Sequence, residues 1–176
     1  MVIRMGLKNK RVLITAGPTW VSIDSVRVIS NIATGETGRL LAEKLRRAGS
    51  KVTLLLGPVG ACCLDRRIRV INFRFFDELR TFLKIELRAR RYDIVVHSAA
   101  VSDYKPARAG SGKVRSGKKS WNIKLSPAPK LIKEIKTIQP CLSVAGFKFE
   151  PGLTGRALIE SGKKDIKDKT KTNLNN

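Results

Sequence analysis

Arg11-Val12-Leu13-Ile14-Thr15-Ala16-Gly17-Pro18-Thr19 is the stretch that decides the fold. Its first six positions are β-rich and lack apolar–polar alternation, and Gly17-Pro18 stops them. Residues 11–16 therefore read as a strand buried on both faces and followed by a turn. Downstream, residues 34–48 carry Leu40, Leu41 and Leu45 at helical spacing, with Thr34 as the expected cap and Gly49 as the close. Residues 51–56 (KVTLLL) are a second apolar strand ended by Gly57-Pro58. Residues 76–87 hold the helical stripe Leu79, Phe82, Leu83 and Leu87. Residues 93–97 (DIVVH) are a third buried strand that runs into Ser98-Ala99-Ala100. Strand–helix–strand–helix–strand predicts an α/β fold, a Rossmann-like, doubly wound, mostly parallel sheet. Ligands of such sheets sit beyond the carboxyl ends of the strands, here Gly17-Pro18-Thr19, Gly57-Pro58 and Ser98-Ala99-Ala100.

The second half is less regular. Residues 107–119 (ARAGSGKVRSGKK) have no hydrophobic period and read as a mobile loop, a flap or hairpin extension of the domain. Residues 121–125 (WNIKL) alternate like a strand. Residues 129–135 open a helix with proline in the first turn, 143–147 read as a further strand, and 154–164 are helix-like. The expected organisation is an extension over 1–10, one domain over 11–164 and a basic, frayed tail over 165–176.

Composition narrows the class. The 176 residues are 42% hydrophobic and 28% charged, enough for one domain with a core and unlike a disordered chain. No run of 18 apolar residues exists, and the first residues lack a secretory pattern. Three cysteines, two of them the neighbours Cys62 and Cys63, are no disulfide framework, so the cytoplasm is the expected location. Lys and Arg total 36 against 14 Asp and Glu, a formal charge of +22 that attracts polyanions.

About fifteen residues separate the first strand from its helix, where a βα loop usually has ~2–6. A long loop at that end of a sheet is more often functional than not. Gly35 and Gly38 let backbone N–H groups approach a phosphate at the helix entry. Helix packing is the plainer reading of the same pair. His97 is the sole histidine, which excludes a histidine-based triad and a multi-histidine metal site.

Five segments in order resemble one family. They are Gly17-Pro18-Thr19 with Ile23-Asp24 through Asn31 and Thr34-Gly35-Glu36-Thr37-Gly38; Ala99-Ala100-Val101-Ser102-Asp103-Tyr104; Lys113-Val114-Arg115-Ser116-Gly117-Lys118; Leu125-Ser126-Pro127-Ala128-Pro129-Lys130-Leu131-Ile132; and Ala145-Gly146-Phe147-Lys148-Phe149-Glu150. Over residues 11–169 the chain resembles the phosphopantothenate–cysteine ligases, the cysteine-adding half of coenzyme A synthesis, in a form similar to archaeal members. It departs from the family pattern at Trp20-Val21-Ser22, at Ala33-Thr34 and in its final KTKTNLNN, where the family continues into an apolar strand.

That resemblance implies a ligase that joins L-cysteine to 4′-phosphopantothenate through an acyl-nucleotide, with Mg²⁺ accompanying CTP or ATP, and a homodimer. It implies catalytic roles for Asn31 and Lys113. It assigns nucleotide contacts to His97, Ser98, Ala99, Asp103, Lys113, Pro129, Lys130, Leu131, Ile132, Phe147, Lys163 and Lys167. Gly35, Gly38 and Arg27 would bind the phosphopantothenate. No protein metal site is expected. Alternatives remain: a degenerate non-catalytic relative, or a basic nucleic-acid-binding protein. Only 6% of residues are aromatic and no known nucleic-acid motif is present, which weighs against the latter, although incidental polyanion binding fits the charge. A nicotinamide-dependent enzyme lacks its G-x-G-x-x-G after the first strand and an acidic end to the second.

Overall fold

The computed structural model describes residues 6–60, 63–108, 110 and 112–147. The chain divides into two compact units, Met1–Gly146 and Phe147–Asn176, and everything below except Phe147 belongs to the first. The helix expected over 154–164, the domain limit at 164 and the tail lie outside the described residues.

Among the described residues, five strands form one parallel sheet: β1 (Arg11–Ala16), β4 (Lys51–Leu56), β5 (Arg69–Asn72), β6 (Ile94–His97) and β9 (Ser143–Gly146), ordered β5-β4-β1-β6-β9. Helix α1 (Glu36–Arg47) lies against one face and helices α2 (Phe76–Ala89) and α3 (Leu131–Ile138) against the other. The unbroken apolar strands explain this arrangement. Along β1, Val12, Ile14 and Ala16 pack with Ala42 of α1, while Leu13 packs with Phe76, Leu79, Leu83 and Leu87 of α2 and Leu131 and Ile135 of α3. Each of these larger side chains is almost fully buried, which stabilises the fold by about 1.5–3 kcal/mol apiece.

Helix α1 starts differently from the expectation. Gly35, at φ 70°, takes the cap position, and Thr34 contributes only its Oγ1, which accepts the Glu36 N–H at 3.3 Å. A glycine is needed there because the chain must turn left-handed while its Cα approaches the Gly17 backbone: a Cβ on Gly35 would stand 3.1 Å from Gly17 N. Gly49 closes the helix at φ 91°, as its position suggested. Helix α2 is capped by Glu78, whose carboxylate accepts the N–H groups of Arg74 and Phe75 at 2.7 and 3.0 Å. Residues 7–10, read as an extension, are tied into the fold, with Asn9 N–H on the Gly49 carbonyl and Lys10 paired with Asp93.

The long β1–α1 connection is itself folded into an antiparallel hairpin, β2 (Trp20–Ser22) with β3 (Val28–Ser30). A second ribbon pairs β7 (Tyr104–Pro106) with β8 (Leu125–Pro127). This corrects the expected strand over 121–125. Residues 121–124 are not in a strand, and the strand runs on through Ser126 and Pro127. A two-stranded ribbon offers an outer side that needs no N–H, so its prolines are tolerated. The described residues of 107–119 form no helix or strand, and two of them are attached to the β2–β3 hairpin. Gly110 N–H binds the Ile23 carbonyl at 3.0 Å, and Val114 N–H binds Asp24 at 3.1 Å.

Candidate active site

The sheet changes direction between β1 and β6: the chain winds from β1 through β4 to β5, then returns to β6 and β9. Past this switch point the two strands stay together. Ser98 N–H binds the Thr15 carbonyl, Ala100 N–H binds the Gly17 carbonyl, and Thr19 N–H binds the Ala100 carbonyl, at 3.1, 2.9 and 3.2 Å. Two threonines rivet this extension. Thr15 Oγ1 meets His97 Nδ1 at 2.9 Å and accepts Ala99 N–H at 3.2 Å. Thr19 Oγ1 accepts Ser102 N–H at 2.9 Å and lies 3.1 Å from the Ser102 hydroxyl. Thr15 lies inside an apolar strand and Thr19 directly after the Gly17-Pro18 turn.

These bonds occupy some of the backbone groups expected at the nucleotide. The N–H groups of Ser98 and Ala99 are committed to Thr15, so they cannot also serve a base edge. Ser98 Oγ donates to the Thr15 carbonyl at 2.7 Å. Burial lowers the His97 pKa to about 4, which keeps its imidazole neutral near pH 7 and unsuited to general acid catalysis.

Helix α1 presses its first turn onto this end of the sheet. A Cβ on Gly38 would lie 2.4 Å from Ala16 Cβ and 2.7 Å from Ser98 Oγ, so only glycine fits. The first helical bond is from Arg39 N–H to the Gly35 carbonyl at 3.1 Å, which leaves the N–H groups of Thr37 and Gly38 ahead of it. Next to them, Arg39 Nε is buried and has no hydrogen-bond partner among the described residues.

Asn31 follows β3 and reaches across to the β6 extension. Its Nδ2 donates to the carbonyls of Ala100 and Val101 at 3.2 and 3.3 Å. Both bonds are long, and the side-chain oxygen accepts none among the described residues. In the same segment, Asp103 accepts an ion-pair bond from Lys130 Nζ at 2.5 Å, and its backbone carbonyl accepts Ala128 N–H at 2.8 Å. Asp103 and Lys130 are 65% and 58% exposed, so solvent screens the pair and it opens at little cost. Pro129 and Lys130 lead into α3. Leu131 is core, and the Ile132 side chain packs where a Cβ on Gly146 would be, at 3.1 Å.

Arg27, expected at the phosphopantothenate, has structural partners. Its Nη1 donates to the buried Asp24 at 2.8 Å, its Nη2 to the Val114 carbonyl at 3.3 Å, and its guanidinium lies 4.9 Å from the Trp121 ring centre. Burial opposes ionisation of Asp24. The N–H bonds from Val26, Val114 and Arg27, with the Arg27 charge, outweigh it and hold the carboxyl below its ordinary value. Asp24 is thus the latch of the lysine loop, a role the sequence reading did not give it. Lys113, beside this latch, is exposed, and among the described residues no hydrogen bond or ion pair joins it to Asn31 or Asp103. Phe147 is 58% exposed. Lys163 and Lys167 lie outside the described residues.

No group of three or more His, Cys, Asp or Glu side chains suited to a metal occurs among the described residues. A Mg²⁺ ion here would keep its coordination to phosphate oxygens and water, as it commonly does with triphosphates.

The profile of the family described as DNA/pantothenate metabolism flavoprotein, C-terminal domain, matches residues 7–173. The chain is 35% identical over 161 residues to the Coenzyme A biosynthesis bifunctional protein CoaBC of Thermococcus kodakarensis, covering 91% of this chain and 39% of that protein. It thus spans about two fifths of that relative's length. A crystal structure of the C-terminal domain of a Coenzyme A biosynthesis bifunctional protein CoaBC superposes with a TM-score of 0.76 at 25% identity, covering 93% of this chain and 74% of that one. A Cab2 mutant in complex with phosphopantothenate-cysteine shares the fold, with a TM-score of 0.69 at 18% identity, over 93% of this chain and 70% of that one.

Proposed function

The chain belongs to the family of the DNA/pantothenate metabolism flavoprotein C-terminal domain, and from that premise we propose that it ligates L-cysteine to 4′-phosphopantothenate using a nucleoside triphosphate, CTP or ATP. The substrate carboxylate attacks the α-phosphorus and pyrophosphate leaves, which gives an acyl-nucleotide. The cysteine amine then attacks the acyl carbon, an amide forms, and the nucleoside monophosphate leaves with one of the former carboxylate oxygens. Such chemistry requires donors where negative charge develops and cations for the phosphates.

The observation that carries this reading is the position of Asn31 at the switch point, its amide held by two long bonds to Ala100 and Val101. Moving one N–H from a backbone carbonyl to the substrate carboxylate, and then to the acyl-nucleotide carbonyl, exchanges one hydrogen bond for a charge-assisted one. Gly35 and Gly38 admit the phosphate of phosphopantothenate to the open N–H groups of α1, where the helix dipole favours an anion. Arg27 contributes indirectly, by anchoring the loop that carries Lys113. Lys113 closes over the triphosphate and balances the departing pyrophosphate.

Lys130 leaves its exposed partner Asp103 for a phosphate, which frees the Asp103 carboxylate for the nucleotide. The carbonyl side of the His97–Ala99 segment and the α3 entry at Pro129–Ile132 complete the nucleotide contacts. Mg²⁺ enters with the triphosphate and neutralises part of its charge. A homodimer is part of the proposal. Val28, Ile32, Tyr104 and Leu125, on or beside the two small ribbons, are exposed apolar residues of the sort that a partner covers.

The test is to incubate the purified chain with phosphopantothenate, cysteine, Mg²⁺ and CTP or ATP, and to follow pyrophosphate and product. Release that needs both phosphopantothenate and a triphosphate, with phosphopantothenoylcysteine formed, supports the reading. No product with either nucleotide removes it.

A further inference from the structure

At the opposite end of the sheet, where the strands begin, lies a cavity of about 450 Å³, the size of a small-ligand pocket. Its wall includes six cations: Arg11, Arg46, Lys51, Arg67, Arg69 and Arg90. Carboxylates answer only part of this charge. Arg67 pairs with Asp65 at 2.6 Å, and Arg69 and Arg90 share the single carboxylate of Glu86 at 2.7 and 3.6 Å. Asp93 accepts the backbone N–H of Arg11, but its side-chain ion pair is with Lys10. Arg11, Arg46 and Lys51 have no ion-pair partner among the described residues.

Helix ends account for only some of these residues. Arg46 in the last turn of α1 and Arg90 at the C-cap of α2 complement the negative ends of their helices. Arg11, Lys51 and Arg69 open strands, where no such field acts. Arg11 and Lys51 are moreover direct neighbours in the β1–β4 register. Like charges set side by side across strands are destabilising unless an anion lies between them. The floor is polar and rigid: Thr53 and Tyr92 are buried, and the Tyr92 hydroxyl donates to Glu86 at 2.5 Å. Among the described residues, Tyr92 is the only aromatic residue of the wall, and at 8% exposed it offers no ring face for base stacking.

We propose that this cavity is a second anion site, remote from the switch point, which takes a compact oligophosphate recognised by charge and not by a base. It does not depend on the ligase reading. The probe is tripolyphosphate, titrated calorimetrically into the full chain. The wild type should bind it, and the double variant Arg46→Glu/Lys51→Glu should lose affinity for it by roughly tenfold or more, in keeping with two lost phosphate contacts. In the unaltered protein, tripolyphosphate should protect the Lys51 amine from acetylation while the exposed Lys133 on α3 still reacts, a readout that requires no variant to fold. Unchanged affinity in the double variant, or an unprotected Lys51, would overturn the proposal. So would protection of Lys51 by a uridine oligonucleotide and not by tripolyphosphate, since an extended nucleic acid would then be the occupant.

Discussion

Asp24 and Val114 are 90 residues apart, yet the carboxylate of one accepts the backbone N–H of the other at 3.1 Å. Asp24 is buried at the tip of the β2–β3 hairpin, and its two oxygens divide their work. Oδ1 accepts the N–H groups of Val26 and Arg27 within the hairpin. Oδ2 faces the Arg27 guanidinium and Val114. The hairpin thereby holds the loop that carries Lys113.

Asp24→Asn should therefore loosen the loop and spare the hairpin. The new amide NH₂ would face two donors, Arg27 Nη1 and Val114 N–H, while Oδ1 keeps its bonds. The Val114 amide should exchange with deuterium roughly tenfold faster, the change expected for losing one hydrogen bond. Exchange at Val114 equal to wild type would contradict the latch.

Gly38→Ala tests how closely α1 is pressed on the sheet. A methyl group there would meet Ala16 Cβ at 2.4 Å and Ser98 Oγ at 2.7 Å. Overpacking should outweigh the helical preference of alanine and destabilise by about 1–3 kcal/mol. Gly112→Ala has nothing within 4 Å and should stay within ~0.5 kcal/mol of wild type. Urea unfolding of the two variants is the check, and equal midpoints would refute the packing argument.

His97 predicts an acid-labile step. Its folded pKa, about 4, lies below the ordinary 6.5, so the unfolded chain binds the proton more tightly. Stability is then full above pH 6.5 and falls as the pH drops from 6.5 toward 4. Asp24, Glu78, Glu86, Asp93 and Glu134 are held below the ordinary carboxylate range and add losses only at lower pH. With one histidine in the chain, the loss between pH 6.5 and 4.5 should flatten in His97→Gln. Parallel stability curves for the two proteins would count against it.

Asn31→Ala should bind the triphosphate like wild type and turn over ~10²-fold more slowly, as when an oxyanion donor is removed. Asn31→Asp should be no better, because a carboxylate oxygen would then face the carbonyls of Ala100 and Val101. Single-turnover kinetics with each variant decide, and wild-type turnover in either would discard the role of Asn31.

The sheet was legible because its strands are unbroken apolar runs between glycine-rich turns. β1, β4 and α1 needed little beyond that pattern. The hairpin inside the long β1–α1 loop was not legible, since Trp20–Ser22 and Val28–Ser30 are three residues each and too short for a period to register. β5 escaped for a similar reason: Arg69–Asn72 is an edge strand with two polar residues in four. Of the proposed site, Asn31, Asp103 and the two glycines were singled out by the motifs. Asp24, Thr15 and Thr19 were not assigned roles, because their partners are distant in sequence and become neighbours only when the strands align. The resemblance assigned Arg27 to the substrate, and in the structure it holds Asp24, Val114 and Trp121.

Isotope transfer examines the proposed ligation most directly. Phosphopantothenate labelled with ¹⁸O in its carboxylate is incubated with the chain, cysteine, Mg²⁺ and the triphosphate, and the products are weighed by mass spectrometry. An acyl-nucleotide path places one ¹⁸O in the nucleoside monophosphate and none in pyrophosphate. Label in inorganic phosphate beside a nucleoside diphosphate, or an unlabelled monophosphate, would contradict it.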